Sequence, residues 1–299
     1  MADILIISDG KPGHFNQSAG LADALIRLHP HLRVDTQPPI DMFGVISLFI
    51  RSFFCRSLAH QKKPLVIIAA GHRTHWALLA LGRFFNAKTV VLMKPSLPMR
   101  WFGLCILPEH DVQAGKTYPT NMISTKGALN RVVAGKKTEG TKLILIGGPA
   151  KHFQWDNDNV LDQLSSLFRK SPQAKWVVAT SRRTPPSFVS AFQQLGFPAS
   201  LVLAESTNRD WLPEVLAKTE TCWVTEDSVS MIYEALTAGC QVGVINLKPL
   251  TNSRVVGGLS RLKQEGLIAS SVNDEPKAGA LSFAEADRSA EIISGYGWL

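Results

Sequence analysis

Short runs of consecutive apolar residues alternate along this chain with longer stretches in which apolar positions recur every three or four residues. Ile4–Ile7, Leu65–Ala69, Thr89–Met93, Lys142–Ile146, Lys175–Thr180 and Thr221–Val224 are runs of the first kind. Short and almost uninterrupted, they predict strands buried on both faces, as in parallel sheets. Weaker strand signals lie at Leu32–Asp35, Leu104–Leu107, Leu201–Leu203 and Val242–Ile245. The spacing predicts helices over Asn16–Leu28, Met42–Ala59, Thr74–Phe85, Asn157–Arg169, Pro186–Leu195 and Trp211–Ala217, with another after Thr225 and one over Phe283–Ile293. Strand and helix in strict alternation predict βαβ units.

The alternation runs through the first half of the chain and restarts at Lys142, after a Gly- and Lys-rich stretch, Val133–Thr141. The expected fold class is α/β, with two Rossmann-like domains whose parallel sheets face each other across a cleft. The expected limits are residues 1–135 and 136–279, with residues 280–299 a C-terminal helix packing back on the first domain. In open α/β sheets ligands bind beyond the carboxyl ends of the strands, so polar residues directly after strands become the candidates for chemistry.

With 299 residues the chain is long enough for two cores, and 45% hydrophobic with 19% charged residues is a globular composition. The net charge of +8 admits nucleic acid, an anionic membrane surface or a phosphorylated substrate as partner, or simply a solvated basic surface. No RNP motif, zinc-finger spacing or long basic run is present, so nucleic acid is not expected. Cys55, Cys105, Cys222 and Cys240 form no CxxC pair and read as reduced, buried thiols of a cytoplasmic protein. A strand begins at once, without a basic segment and long apolar run, which argues against a signal peptide.

Six strand-end segments carry the candidate chemistry. Ser8-Asp9-Gly10-Lys11-Pro12-Gly13-His14 combines turn glycines with a cation and a histidine able to act as general base; its spacing is neither a P-loop nor GxGxxG, and an ordinary βα turn is the alternative. Gly71-His72-Arg73-Thr74-His75 is a substrate-facing loop or a turn in which Thr74 caps the next helix; two histidines are too few for a metal site. Pro108-Glu109-His110-Asp111 is a third polar turn. Gly147-Gly148-Pro149 admits a diphosphate, whereas the downstream Asp156-Asn157-Asp158 reads as a helix cap rather than a metal motif. Thr180-Ser181-Arg182-Arg183-Thr184 suits phosphate or base recognition. In Thr225–Asn246 a strand leads through Glu226, Asp227 and Ser228 into a helix with Ser230 and Glu234 on one face and Met231, Ile232, Ala235 and Leu236 expected to be buried. Its N-terminus is an anion site by virtue of its N–H groups and dipole. Glu234 lies two turns along, ~9 Å at ~1.5 Å per residue, about the span from a diphosphate to its ribose.

Glu226 and Glu234, separated by seven residues and followed by Ala235-Leu236-x-Ala238-Gly239, resemble the EX7E segment of GT-B glycosyltransferases, with SVSM in place of a glycine-containing FGL stretch. The ordered segments SDGKPGHFNQSAGLADAL, PEHD, GALN, GGP, TSRRTP and TEDSVSM resemble the mitochondrial-fission ELM family over nearly the whole chain; its bacterial members are described as glycosyltransferases and its plant members act in organelle fission. The resemblance implies a GT-B arrangement, with Glu234 on the ribose, Glu226 near the donor sugar, and Ser228 and Ser230 near the phosphates. Gly147, Gly148, Ser181, Arg182, Arg183, Thr225 and Asp227 would complete the donor side. Asp9 and His14 are the candidate catalytic pair, and Gly10, Lys11, Gly13, Gly71, His72, His110 and Asp111 the acceptor side. The expected activity is sugar transfer from a nucleotide-sugar co-substrate, with no cofactor and no metal, to a lipid-linked or cell-envelope glycan acceptor. An epimerase of the same fold and a non-catalytic fission-type adaptor are the alternatives.

Met42–Ala59 is apolar at helical spacing yet interrupted by Arg51 and Arg56. It is either a buried helix of the first domain or an interfacial segment on an anionic membrane, which would place the protein at the inner face of the membrane as a peripheral enzyme.

Overall fold

The computed structural model describes residues 2–54, 63–113, 115–277 and 283–299. It divides into two compact units, Met1–Arg131 with Ala284–Leu299, and Val132–Phe283. The sequence-based limit at 279/280 and the end of the Met42–Ala59 segment fall outside the described residues.

In the first unit the order is β1 (Ile4–Ile7), α1 (Pro12–Leu28), β2 (Val34–Gln37), α2 (Met42–Phe54), β3 (Val66–Ala70), α3 (His75–Phe85), β4 (Lys88–Leu92), β5 (Leu104–Pro108) and β6 (Met122–Thr125). The six strands form one parallel sheet in the order β2-β1-β3-β4-β5-β6. Its inner strands ILII, VIIAA and LCILP are buried throughout, because helices cover both faces of a parallel sheet. Pro12 opens α1, where a missing N–H and a fixed φ cost nothing.

The second unit runs β7 (Thr138–Ile146), β8 (Phe153–Gln154), α4 (Asn157–Lys170), β9 (Lys175–Thr180), α5 (Pro186–Gln194), β10 (Ala199–Val202), α6 (Trp211–Lys218), β11 (Thr219–Thr225), α7 (Val229–Thr237), β12 (Gln241–Ile245), β13 (Lys248–Pro249) and α8 (Arg254–Gln264). Five strands pair in parallel in the order β10-β9-β7-β11-β12, and β13 pairs antiparallel with β8. The stripe Val160, Leu161, Leu164, Leu167 and Phe168 of α4 is buried against this sheet; each such side chain contributes about 1.5–3 kcal/mol by leaving water. The last helix, α9 (Glu285–Gly295), belongs to the first unit. It is tied to α1 by Arg27 Nη2 to Asp287 Oδ1 at 2.5 Å and by His29 Nε2 with Ser294 Oγ at 2.7 Å.

The central strand β7 begins at Thr138, four residues before the expected Lys142 and inside the stretch expected as a linker; the other departures among strands lie mostly at sheet edges. β2 lies two residues beyond Leu32–Asp35 and β10 two residues before Leu201, while β6 carries no signal strong enough to be read. These three edge strands are only partly covered and lack the apolar run that marks the inner ones, whereas the edge strand β12, buried over Val242–Ile245, lies where it was expected. α8 also went unread, because Gly257 and Gly258 sit at its centre.

Candidate functional site

Both sheets change winding direction at a defined point, between β1 and β3 in one and between β7 and β11 in the other. The crevice outside such a switch point is where open α/β sheets bind ligands. A cluster of polar side chains lies at each.

In the first unit the chain leaves β1 at Ser8-Asp9. Asp9 is almost completely buried, with 1% of its side chain exposed, and both its oxygens reach His14 Nδ1, at 3.1 and 3.0 Å. An ionised carboxylate only accepts, so Nδ1 is the donor in this pair, which in a neutral imidazole leaves Nε2 as the acceptor. His14 is 20% exposed, enough to meet a ligand. Asp9 Oδ1 also accepts from the Lys11 N–H at 3.2 Å, closing the turn. Gly71, at the end of β3, lies against this pair at φ +91°, and a side chain there would strike the His14 ring. Its carbonyl accepts from the Thr74 hydroxyl at 2.8 Å. Thr74 therefore does not cap α3 with its side chain, contrary to expectation: its backbone is already helical and its hydroxyl holds the preceding turn. His75 is buried, paired with Ser96 Oγ at 3.0 Å and packed edge-on against Phe102. Burial lowers its pKa, and neighbouring His72 lowers it further. His72 and Arg73 are exposed, as are Gly10, Lys11 and Gly13. Asp111 sits in a short turn after β5; the His110 side chain lies outside the described residues.

In the second unit the loops after β7, β9 and β11 interlock. The Gly147 N–H donates to Thr225 Oγ1 at 2.8 Å and the Gly148 N–H to Asp227 Oδ2 at 3.1 Å. Ser181 Oγ and Thr184 Oγ1 both donate to the Gly147 carbonyl, at 3.0 and 2.6 Å. Arg183 spans the cluster: Nη2 donates to Asp227 Oδ2 at 2.7 Å and Ser228 Oγ at 3.0 Å, and Nη1 to the carbonyls of Gly148 and Pro149, each at 3.2 Å. Any side chain at Gly147 would overlap Asp227 and Ser228, and one at Gly148 would overlap the Arg183 backbone. The Asp227 side chain is fully buried, and its Oδ1 has no hydrogen-bond partner. Arg183 remains 45% exposed, so the cluster presents a cation to solvent over a buried carboxylate.

The helix expected after Thr225 starts at Val229 with Ser228 in the N-cap position. The Ser228 hydroxyl turns to Asp227 and Arg183 instead of capping. Tyr233 joins Ile232, Ala235 and Leu236 in the buried stripe, and Met231 is only partly covered. Ser230 is exposed and Glu234 half-buried on α7, and Arg182 is exposed. Glu226 is buried and used locally: Oε2 accepts from the Leu247 N–H at 2.8 Å, and Oε1 pairs with Lys263 Nζ at 2.5 Å. The Asp156 carboxylate caps α4 by accepting from the N–H groups of Asp158 and Asn159. Sequence reasoning named Thr184 within its strand-end segment, and the structure shows its hydroxyl held on the Gly147 carbonyl; it missed Lys263, which nothing local signals.

Two Rossmann-like parallel α/β units, each with a polar cluster at its switch point, define a GT-B-type protein. A family model described as "Mitochondrial fission ELM1" matches residues 12–295, and the chain belongs to that family. The uncharacterized protein RP120 of Rickettsia prowazekii is 24% identical, with 97% of each chain covered. Among solved structures, the UDP-GlcNAc 2-epimerase of Neisseria meningitidis bound to UDP-GlcNAc aligns with a TM-score of 0.53 at 11% identity, covering 98% of both chains. The UDP-GlcNAc 2-epimerase of Methanocaldococcus jannaschii aligns at 0.52 and 10% identity, over 98% of this chain and 99% of the other. These likenesses establish the fold.

Proposed function

We propose that the protein transfers a sugar from a nucleotide-sugar donor to a lipid-linked or cell-envelope glycan acceptor. The observation that carries this reading is the Arg183–Asp227–Ser228 cluster folded around Gly147 and Gly148. The glycines let the three loops close on one another, Arg183, held by Asp227 and Ser228 and 45% exposed, offers a diphosphate a preorganised guanidinium, and the start of α7 adds its dipole. Ser228 and Ser230 would then lie at the phosphates and Glu234 at the ribose hydroxyls. Glu226 supports the donor side indirectly, through the Leu247 and Lys263 contacts.

The reaction needs one base and one electrophilic clamp. His14 Nε2 takes the proton of the acceptor hydroxyl, and Asp9 stabilises the resulting imidazolium through Nδ1. The acceptor oxygen forms a bond to the anomeric carbon as the bond to the diphosphate breaks. The diphosphate leaves with its negative charge held by Arg183 and the α7 N-terminus, without a divalent cation. Gly10, Lys11, Gly13, Gly71, His72, His110 and Asp111 line the acceptor side in this reading.

A second reading, a nucleotide-sugar epimerase, draws support from the fold likeness to the two UDP-GlcNAc 2-epimerases. Nuclear magnetic resonance of donor turnover separates the two. Donor that is consumed only when an acceptor glycolipid or glycan is supplied, with a new glycosidic bond formed, supports transfer. A second epimer appearing from donor alone supports the epimerase and contradicts transfer.

A further inference from the structure

The helix α2 carries more apolar surface than its packing uses. Val45 is buried, and Leu48 packs on the core beneath α3. Met42, Phe43, Ile46 and Ile50 instead stand 55%, 85%, 52% and 54% exposed. At about 100° per residue these four fall within a single arc of roughly 100°. That width is what a helix normally turns toward a core, yet here it faces outward.

Beside this face runs a groove of about 960 Å³, lined by Phe49, Lys63, Trp76, Arg83, Phe84 and Trp101 among others. Trp76 and Trp101 are 42% and 48% exposed, with ring centres 6.3 Å apart. Arg51 lies with its guanidinium 5.5 Å from the centre of the Phe84 ring, and Arg83 Nε donates to Ser52 Oγ at 3.1 Å. An outward apolar arc, half-exposed indoles and cations placed beside them match the chemistry of a bilayer interface, where indoles sit at headgroup level and arginines meet lipid phosphates. Asp41, whose Oδ1 accepts from the Gly44 N–H at 2.8 Å, is the acid on this segment. Among the described residues no helix is long and apolar enough to cross a membrane.

We propose that α2 and the adjoining Trp76–Trp101 groove dock the first unit onto an anionic phospholipid surface, with the α2 arc in the headgroup–acyl boundary and Arg51, Lys63 and Arg83 against lipid phosphates. The docking rests on this surface alone and not on the sugar-transfer reading, so its test needs no nucleotide.

The test is co-sedimentation of the full chain with vesicles of phosphatidylcholine, with or without phosphatidylglycerol, alongside the Phe43→Asp/Ile46→Asp double variant and Arg51→Glu. Both changes lie on exposed positions, and an unchanged melting temperature checks folding. Expected are binding to the anionic vesicles over the neutral ones, weakening as salt rises, a loss of at least about tenfold in the double variant, and a loss of about fivefold in Arg51→Glu. Equal partitioning onto both vesicle types overturns the proposal, as does full binding by a folded double variant. A wild-type dimer that the double variant abolishes, with no vesicle binding by either protein, assigns the face to a second copy of the chain and also overturns it.

Discussion

The two switch points occupy the same topological position in their sheets and are built in opposite ways. At β1/β3 the chain invests in one hydrogen-bonded pair, Asp9–His14, whose histidine is partly open. At β7/β11 it builds a closed web in which Thr225, Asp227, Ser181, Thr184 and Arg183 fasten three loops to the backbone around two glycines. The contrast teaches what each can do. The first pairs a buried carboxylate with a histidine that a ligand can reach, the arrangement the proposed proton transfer calls on. The second holds charge in a fixed place, and its chemistry cannot be separated from the folding of its loops.

The largest expected effect is at the second. Gly147→Val would place branched carbons onto Asp227 and Ser228, which are themselves pinned. Overpacking against a fixed network costs about 1–3 kcal/mol or more, so a clear fall in melting temperature and loss of nucleotide affinity are expected together. Gly71→Ala strikes the partly exposed His14 ring and Asp9 Oδ2 instead; the positive φ alone costs about 1–2 kcal/mol, and its larger expected effect is on turnover. If both variants lose stability equally, the distinction between a partly open pair and a closed web is wrong.

His14→Ala comes next. Loss of a general base lowers kcat by about 10²–10⁴-fold, with nucleotide affinity nearly unchanged and a modest fall in melting temperature as the buried Asp9 carboxylate loses its partner, as steady-state kinetics and calorimetry would show. Arg183→Ala is the converse: it strips the buried Asp227 carboxylate of its cation. A fully buried pair broken this way costs about 3–5 kcal/mol, but the half-exposed guanidinium argues for about 1–3 kcal/mol in denaturant melts. Arg183→Lys should not restore nucleotide binding, because an ammonium cannot reproduce the four-way guanidinium contact.

The smallest effect concerns His75. Its pKa is lowered by burial in the folded protein, so the unfolded chain takes up the proton first. Its contribution to stability is therefore complete above the ordinary histidine value of about 6.5 and is lost as the pH falls below it. His75→Gln should flatten the melting-temperature profile between about pH 5 and 7 relative to wild type.

How far the sequence carried this picture follows from burial. The inner strands and the α4 stripe were legible because full burial writes itself as an apolar run or a 3.6-residue period. The edges β2, β6 and β10, which carry only half that constraint, were shifted or missed. At the site, strand-end position alone singled out Asp9, His14, Gly147, Arg183 and Asp227. Asp9 and His14 pair within one turn, five positions apart, but that Gly71 closes against them, and that Arg183 reaches Asp227 across 44 positions of sequence, depends on β1 lying beside β3 and β7 beside both β9 and β11. No local pattern encodes those neighbours. Glu226 shows the limit most clearly: its spacing from Glu234 drew attention to it as a donor contact, whereas both its oxygens are engaged with Leu247 and Lys263.

The central claim is that the Arg183 cluster and Glu234 hold a nucleoside diphosphate-sugar while His14 does not. Isothermal titration of UDP-GlcNAc and other nucleotide-sugars into wild type, Arg183→Ala, Glu234→Ala and His14→Ala tests it directly. The account predicts binding of at least one nucleotide-sugar by wild type, a loss of tenfold or more, about 1.4 kcal/mol, in Arg183→Ala and in Glu234→Ala, and no change in His14→Ala. Affinity that survives intact in both second-unit variants, or no binding of any nucleotide-sugar by the wild-type protein, would contradict it.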